Sequence, residues 1–332
     1  MTPPAEWAPH RAMWLGFPSH EELWLEHLEP ARREVAALVR ALAGPGRERV
    51  RLLVCGDEAF CAAQALLGDV AGVELVRGRF GDIWLRDTGP IFLKDGALRS
   101  AAGFRVNGWG GKYVLEGDEA VAAQIAEASG VALTAHDVVL EGGALDHDGG
   151  GTILTTRQCL LNPNRNPGWD EARAEQALRT ALGARKVLWL GEGLMNDHTD
   201  GHVDNLARFV ATGVVACPLA LGEDDPNAQA YDAAAGALAA MTDADGVRLK
   251  VVRIPSPGRI EDEDGEPIAA SHMNFLIANG AVIAPIYDEA AGAFALDALR
   301  RLFVDRAVIG LPSRALLTGG GSFHCITQQE PA

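Results

Sequence analysis

The chain reads as an α/β protein assembled from a recurring unit. Short runs rich in Val, Ile and Leu punctuate the whole sequence. Ala-rich amphipathic stretches separate them and recur roughly every 50 to 70 residues, with two or three strand-like runs between. No low-complexity tract or evident linker divides the chain. At 332 residues the length alone would suit roughly two domains of about 150 residues each. The recurring spacing asks instead for a repeat architecture, in which one closed unit reaches this size.

In chain order the strand-like runs are "RVRLLVCG", "VELVRG", "DIWLRD", "GTILTT", "KVLWLG", "GVVACP", "LKVVRIP", "NFLIANG", "AVIAPIY" and "AVIGLP". They are short, apolar and bounded by turn formers, as strands are. The amphipathic stretches fall at 31–43, 118–128, 170–182, 228–241 and 290–303. Asp170 is placed to cap the third of these, and Gly183 to end it in a left-handed turn. The most polar segment, "GRIEDEDGEP" at 258–267, reads as a solvated loop.

Composition bounds the function. The sequence is 48% hydrophobic and 22% charged, ordinary for a globular protein. A net charge of −16 disfavours nucleic acid, whose affinity comes from neutralising phosphates. It suits a small cationic substrate. The five cysteines (Cys55, Cys61, Cys159, Cys217, Cys325) are odd in number and show no C-x-x-C pair, so neither a disulfide framework nor a zinc knuckle is expected. The N-terminus carries no leader-like pattern, and no apolar run reaches the ~18 residues a membrane span needs. A reduced, cytoplasmic protein is the expectation.

Four polar clusters could carry chemistry. In "NDHTDGHVDN", Asn196 to Asn205, an extended backbone from Gly201 onward would put His202 and Asp204 on one face, suited to proton transfer and to orienting a cation. The same cluster offers a metal alternative built on Asp197, His198, His202 and Asp204, although Gly201 argues against the helix that an i, i+4 histidine pair needs. "DIWLRDTGP" places Arg86, Asp87 and Thr88 at the end of an expected buried strand. "VVLEGG" ends such a strand on Glu141 beside two glycines. "TGGGSFHCITQQEP" presents Cys325 after a glycine run, away from the apolar surroundings of the other four cysteines. A nucleophilic thiol needs access and a base or a lowered pKa.

Together these residues carry a resemblance. "PAEWAPH" (4–10), "WLRDTGP" (84–90), "NGWGGKY" (107–113), "LEGG" (140–143), "LLNPNRNP" (160–167), "GHVDN" (201–205), "NFLIANG" (274–280) and "GGGSFHCITQQEP" (319–331) run almost end to end. In them the chain resembles the agmatine deiminase family, within the guanidine-modifying pentein superfamily that includes bacterial-type peptidylarginine deiminases. The resemblance implies a single domain over 1–332: a five-bladed α/β propeller of ββαβ-type units with pseudo-fivefold symmetry and the site in its central channel. It implies hydrolytic deimination of agmatine to N-carbamoylputrescine and ammonia, without metal or organic cofactor. Cys325 matches the nucleophile and His202 the general acid/base. Asp87, Glu141 and Asp204 match the acidic positions that clamp the guanidinium, since a carboxylate accepts two parallel N–H bonds from that group. Trp84 and Trp109 would wall the pocket, and the glycine run ending at Gly321 would let the last segment enter a crowded channel. Free or peptidyl arginine is the alternative substrate. Family habit implies a homo-oligomer, a dimer or larger. His198, Phe17 and His272 depart from the family's usual residues and touch neither nucleophile nor general acid.

Overall fold

The computed structural model describes residues 1–332. Its strands fall into five separate sheets, and four of the five share one construction. In each, an antiparallel pair is followed by a helix that returns the chain to a third strand, parallel to the second. The sheets are β4 (Ile91–Asp95), β5 (Leu98–Arg105) and β6 (Ala132–Val139); β7 (Leu145–His147), β8 (Thr152–Thr156) and β9 (Lys186–Leu190); β10 (Arg208–Ala211), β11 (Val214–Leu219) and β12 (Lys250–Pro255); and β13 (Leu276–Ile277), β14 (Ala281–Ile286) and β15 (Ala307–Pro312). The crossover helices are Asp118–Ala128, Glu171–Leu182, Ala228–Ala240 and Glu289–Leu302.

The remaining sheet joins the two ends of the chain. β1 (His10–Gly16) and β2 (Val50–Val54) are parallel, linked by the helix Leu28–Ala43, and β3 (Val73–Arg77) follows. The antiparallel partner of β1 is the last strand, β16 (Thr327–Pro331). The molecule is a five-bladed α/β propeller whose final strand closes the ring.

Local sequence explains most of this. β8 and β14 are buried along nearly their whole length and therefore read as continuous apolar runs rather than alternating ones. Helix Leu28–Ala43 buries Leu28, Ala31, Val35, Leu38, Val39 and Leu42, the three-to-four spacing of a single stripe. Asp170 caps Glu171–Leu182 by accepting from the amide of Arg173, and Gly183 ends it at φ 65°, both as expected. The apolar core is divided into clusters between sheets and helices, the largest of 39 residues. The axis is polar. Arg208, wholly buried, pairs there with Glu6 and Asp146 and donates to the carbonyls of Met273 and Phe275.

Two expected strands are not strands. "DIWLRD" forms a bend and one helical turn, Leu85–Thr88. The Asp82 carboxylate accepts from the next amide and from the indoles of Trp24 and Trp84, a local alternative to a sheet ladder. "GHVDN" forms a 3₁₀ turn, Val203–Asn205, entered through left-handed backbone at Asp200 and Gly201. Cys61 is exposed, not shielded by its apolar neighbours. The 258–267 loop is mostly exposed, as its charge requires. No helix is long and apolar enough to cross a membrane.

β16 is "TQQEP", polar yet fully buried. Glu330 explains how: it accepts from Arg99 of the neighbouring blade at 2.7 Å, from Ser129 at 3.1 Å and from Arg51 at 3.4 Å, with Arg11 at 3.5 Å. Glu330→Gln should cost about 3 kcal/mol of stability in urea unfolding, the scale for removing one partner of a buried ion pair. A loss below about 0.5 kcal/mol would put the pair among inert surface contacts.

Candidate active site

The turn at Leu85–Thr88 aims Asp87 at the axis. It is stitched to the C-terminal segment: the Arg86 amide donates to the Cys325 carbonyl at 3.0 Å and its Nε to the His324 carbonyl at 3.3 Å. Asp87 Oδ1 accepts from the Gly143 amide and Oδ2 from the Trp109 indole, each at 2.8 Å. Trp109 reaches it from a left-handed backbone at φ 52°, in a turn capped by Asn107. Burial, with repulsion from Asp204 and Glu141, raises the Asp87 carboxyl to about 6.

His202, Asp204 and Asp87 converge on Gly143. A methyl group there would lie 2.6 Å from His202 Nδ1, 2.8 Å from Asp87 Oδ1 and 3.2 Å from Asp204 Oδ2, so only glycine fits. His202 Nδ1 is 3.8 Å from Asp87 and Nε2 is 3.7 Å from Glu141. Neither ring nitrogen has a hydrogen-bond partner, although the residue is wholly buried. Burial alone would push the imidazole down. The Asp87 carboxylate, helped by Cys159 and Glu141, overrides it and holds His202 well above its ordinary value.

The other two acids are held from behind. Glu141 Oε1 accepts from Arg165 Nε at 2.7 Å. Burial works against its charge, but His202 and Arg165 keep its carboxyl below the usual range. Arg165 also grips Asp200 and the Thr199 carbonyl, which fixes the loop carrying His202. Asp204 Oδ2 accepts from His324 Nδ1 at 2.8 Å, and this outweighs burial and holds the acid low. Asp204 Oδ1 has no partner.

Cys325 Sγ lies 3.2 Å from Asn274 Nδ2 and 3.7 Å from Asp204 Oδ2. Burial, then Asp204 and Asp87, push the thiol well above its ordinary value, against donation from the Ser322 amide and Asn274. The free protein therefore holds a thiol. The glycine run serves close packing: a methyl on Gly321 would meet the Trp84 ring at 2.6 Å and Cys325 Cβ at 3.1 Å.

A cavity of about 230 Å³ opens onto this centre, lined by Asp87, Cys325, Trp84, Trp109 and Gly321, with Tyr113 and His198 also in its wall. Of the expected residues, these five line the cavity. His202, Glu141 and Asp204 are buried and do not line it. A larger depression of about 730 Å³ adjoins it through His198, Thr318 and Gly320 and is lined by Glu261 to Asp264, but it contains no cysteine. The metal alternative is not assembled. Asp197 binds Thr199, and His198 binds Tyr113. The one cluster with metal-like spacing is Glu141, Cys159 and His202, where the Arg165 guanidinium already occupies the carboxylate. Sequence reasoning missed Arg165, His324 and Asn274. Each lay inside a segment that carried the resemblance, and none announces its partner along the chain.

The model of the Porphyromonas-type peptidyl-arginine deiminases matches residues 2–331. The chain belongs to that family. Relatives include the agmatine deiminases of Stutzerimonas stutzeri and of Pseudomonas aeruginosa, each 38% identical, with 99% of this chain and 95% of the relative covered. Among solved structures, the agmatine deiminase of Enterococcus faecalis is 32% identical with a TM-score of 0.92, over 99% of this chain and 95% of that one.

The geometry makes the charge of His202 testable. Because its folded value is raised, the stabilisation is complete below the ordinary value near 6.5 and is lost as pH rises through the folded value. Histidine NMR, assigned with His202→Gln, should show His202 as imidazolium at neutral pH and stability declining on the alkaline side. A ring that titrates at or below about 6.5 contradicts the cage.

Proposed function

We propose that the protein hydrolyses agmatine to N-carbamoylputrescine and ammonia through a covalent intermediate on Cys325. One observation carries the reading: a thiol in the wall of a small pocket faces the buried carboxylates of Asp87 and Asp204, with a caged imidazole next to Asp87 and with Trp84 and Trp109 in the same wall. A flat cation is the natural counterpart of such a site. Its N–H groups meet carboxylate oxygens, its faces meet aromatic walls, and its charge relieves the repulsion among the acids. The names of the relatives supply agmatine, and the pocket's small volume suits a free guanidine better than a peptide side chain.

The residues divide the steps. Asp87 and Asp204 hold the guanidinium with its carbon over Sγ, while Glu141, already paired with Arg165, faces the far side of the His202 ring rather than the substrate. The bound cation offsets the acids that suppress thiolate, so the Cys325 proton is released on binding. The thiolate attacks the central carbon. His202, already an imidazolium, donates its proton to the departing nitrogen, and ammonia leaves an S-alkylthiouronium. Neutral His202 then takes a proton from water. The hydroxide adds to the carbon, the C–S bond breaks, and the added hydroxyl gives up its remaining proton to solvent, so that the neutral ureido product forms with thiolate restored. Each such proton transfer is worth about 10²–10⁴ in rate.

The test is turnover of agmatine, free arginine and a peptide with internal arginine, read as ureido product and ammonia, with and without EDTA. Agmatine should be preferred and its turnover should survive EDTA. Cys325→Ser should lower kcat by on the order of 10⁴ or more. Activity persisting in Cys325→Ser overturns the thiol mechanism, while preference for arginine overturns only the substrate.

A further inference from the structure

The cavity wall carries two carboxylates, Asp87 beside the sulfur and Asp82. The mechanism above uses only the first. Asp82 is buried, and its Oδ1 accepts from the Trp24 indole at 2.9 Å and the Ile83 amide at 2.8 Å. Its Oδ2 accepts from the Trp84 indole at 2.8 Å and has a lone pair to spare. These donors are all neutral. His20 acts on Asp82 only through space and bonds the Phe80 carbonyl instead. A second acid, Asp118, stands behind: its Oδ1 accepts from the Asp82 amide at 3.3 Å, and its Oδ2 has no partner. Burial raises the Asp82 carboxyl, against donation from Trp24, Ile83 and Trp84. This end of the cavity therefore holds a buried acid without a countercharge. The Trp84 ring separates it from the nucleophile. A methyl on Gly321 would lie 2.6 Å from Trp84 Cζ3 and 3.1 Å from Cys325 Cβ, so that edge of the ring borders the sulfur's residue. A methyl on Gly319 would lie 2.8 Å from Trp84 Cζ2, on the side that carries the indole nitrogen bound to Asp82. One indole and one hydrogen bond thus divide the two ends, a span that an extended four-methylene chain covers. Leu23 and Leu115 add apolar wall.

We propose that Asp82 determines specificity: its carboxylate binds the distal ammonium of agmatine while the four methylenes lie along Trp84. The inference rests on the deimination proposed above and names the group that reads the far end of the substrate. The ammonium supplies the countercharge that Asp82 lacks, through a charge-assisted hydrogen bond. The two indoles and the Ile83 amide hold the carboxylate in place beforehand, so little ordering is left for binding. The same acid rejects free arginine. The α-carbon of arginine falls where agmatine has its last methylene, and it adds a carboxylate that would meet Asp82 with like charge. The outer wall offers no competing acid. The Tyr113 hydroxyl and His198 Nδ1 bond each other at 3.1 Å, and Lys112 beside them is spent on Asp200 and the His198 carbonyl.

The test is kcat/KM for agmatine against butylguanidine, which has the same guanidine and chain but no ammonium, in the wild type and in Asp82→Asn. Taken as a ratio within one protein, the comparison cancels any loss of folded enzyme. The wild type should prefer agmatine by about 30-fold or more, and Asp82→Asn should lower that ratio about 10- to 100-fold, the range for a hydrogen bond to a charged group. An unchanged ratio in Asp82→Asn overturns the proposal, as does a wild type that does not distinguish the two guanidines. Asp82→Glu keeps the charge and the acceptors, and it decides the matter should Asp82→Asn not fold. Its carboxylate reaches one methylene further, so the preferred substrate should shift from agmatine to the homologue with three methylenes. A Glu variant that still prefers agmatine overturns the proposal. Equal turnover of both guanidines leaves the deiminase standing and removes only the ammonium contact. Turnover of neither by the wild type overturns the deimination reading, and this inference falls with it.

Discussion

Charge cannot be left unpaired in a dry interior, and the axis of this propeller holds a great deal of it. Glu6, Arg86, Asp87, Glu141, Asp146, His202, Asp204, Arg208 and His324 are all buried there. Most are matched: Arg208 with Glu6 and Asp146, Arg165 with Glu141, His324 with Asp204. The matching is incomplete around one point. His202 has two unpartnered ring nitrogens, Asp204 has a free oxygen, and Asp87 is forced toward neutrality. A flat cation placed there completes the pairing. The thiol beside it is un-ionised for the same reason that the site is hungry for positive charge.

That single imbalance links fold to chemistry. Each blade delivers a few polar side chains to the axis from the loops at its strand ends: Asp87 precedes β4, Glu141 lies between β6 and β7, His202 and Asp204 precede β10, and Asn274 precedes β13. The nucleophile arrives last, just ahead of the strand that closes the ring. The backbone of Asn274, Arg86 and His324 locks that segment to its neighbours. Closing the fold and placing the sulfur are therefore one event, and Glu330 secures it from outside.

Much of this was legible in the residues. The recurring helices at 118–128 and 170–182 and the apolar runs of β8, β11 and β14 stand out because burial dictates their composition. β16 did not stand out, since its burial comes from ion pairs with distant arginines. His202 and Asp204 were correctly placed together for the wrong reason. The expected strand is a turn, and left-handed backbone at Asp200 and Gly201 brings the two side chains to a common point. Asp87 was expected at a strand end, but Asp82's capture of two indoles bends the chain into a helical turn first. Arg165, His324 and Asn274 act across blades, and no local pattern encodes a partner some tens of residues or more away.

The central claim is that the cation itself ionises the nucleophile. The direct measurement is the ultraviolet absorbance of the Cys325 thiolate, taken as a difference between the wild type and Cys325→Ser, before and after saturation with an amidinium cation of agmatine's length. The account predicts no thiolate in the free protein at neutral pH and one equivalent on binding. A thiolate already present without ligand, or none after saturation, would contradict it.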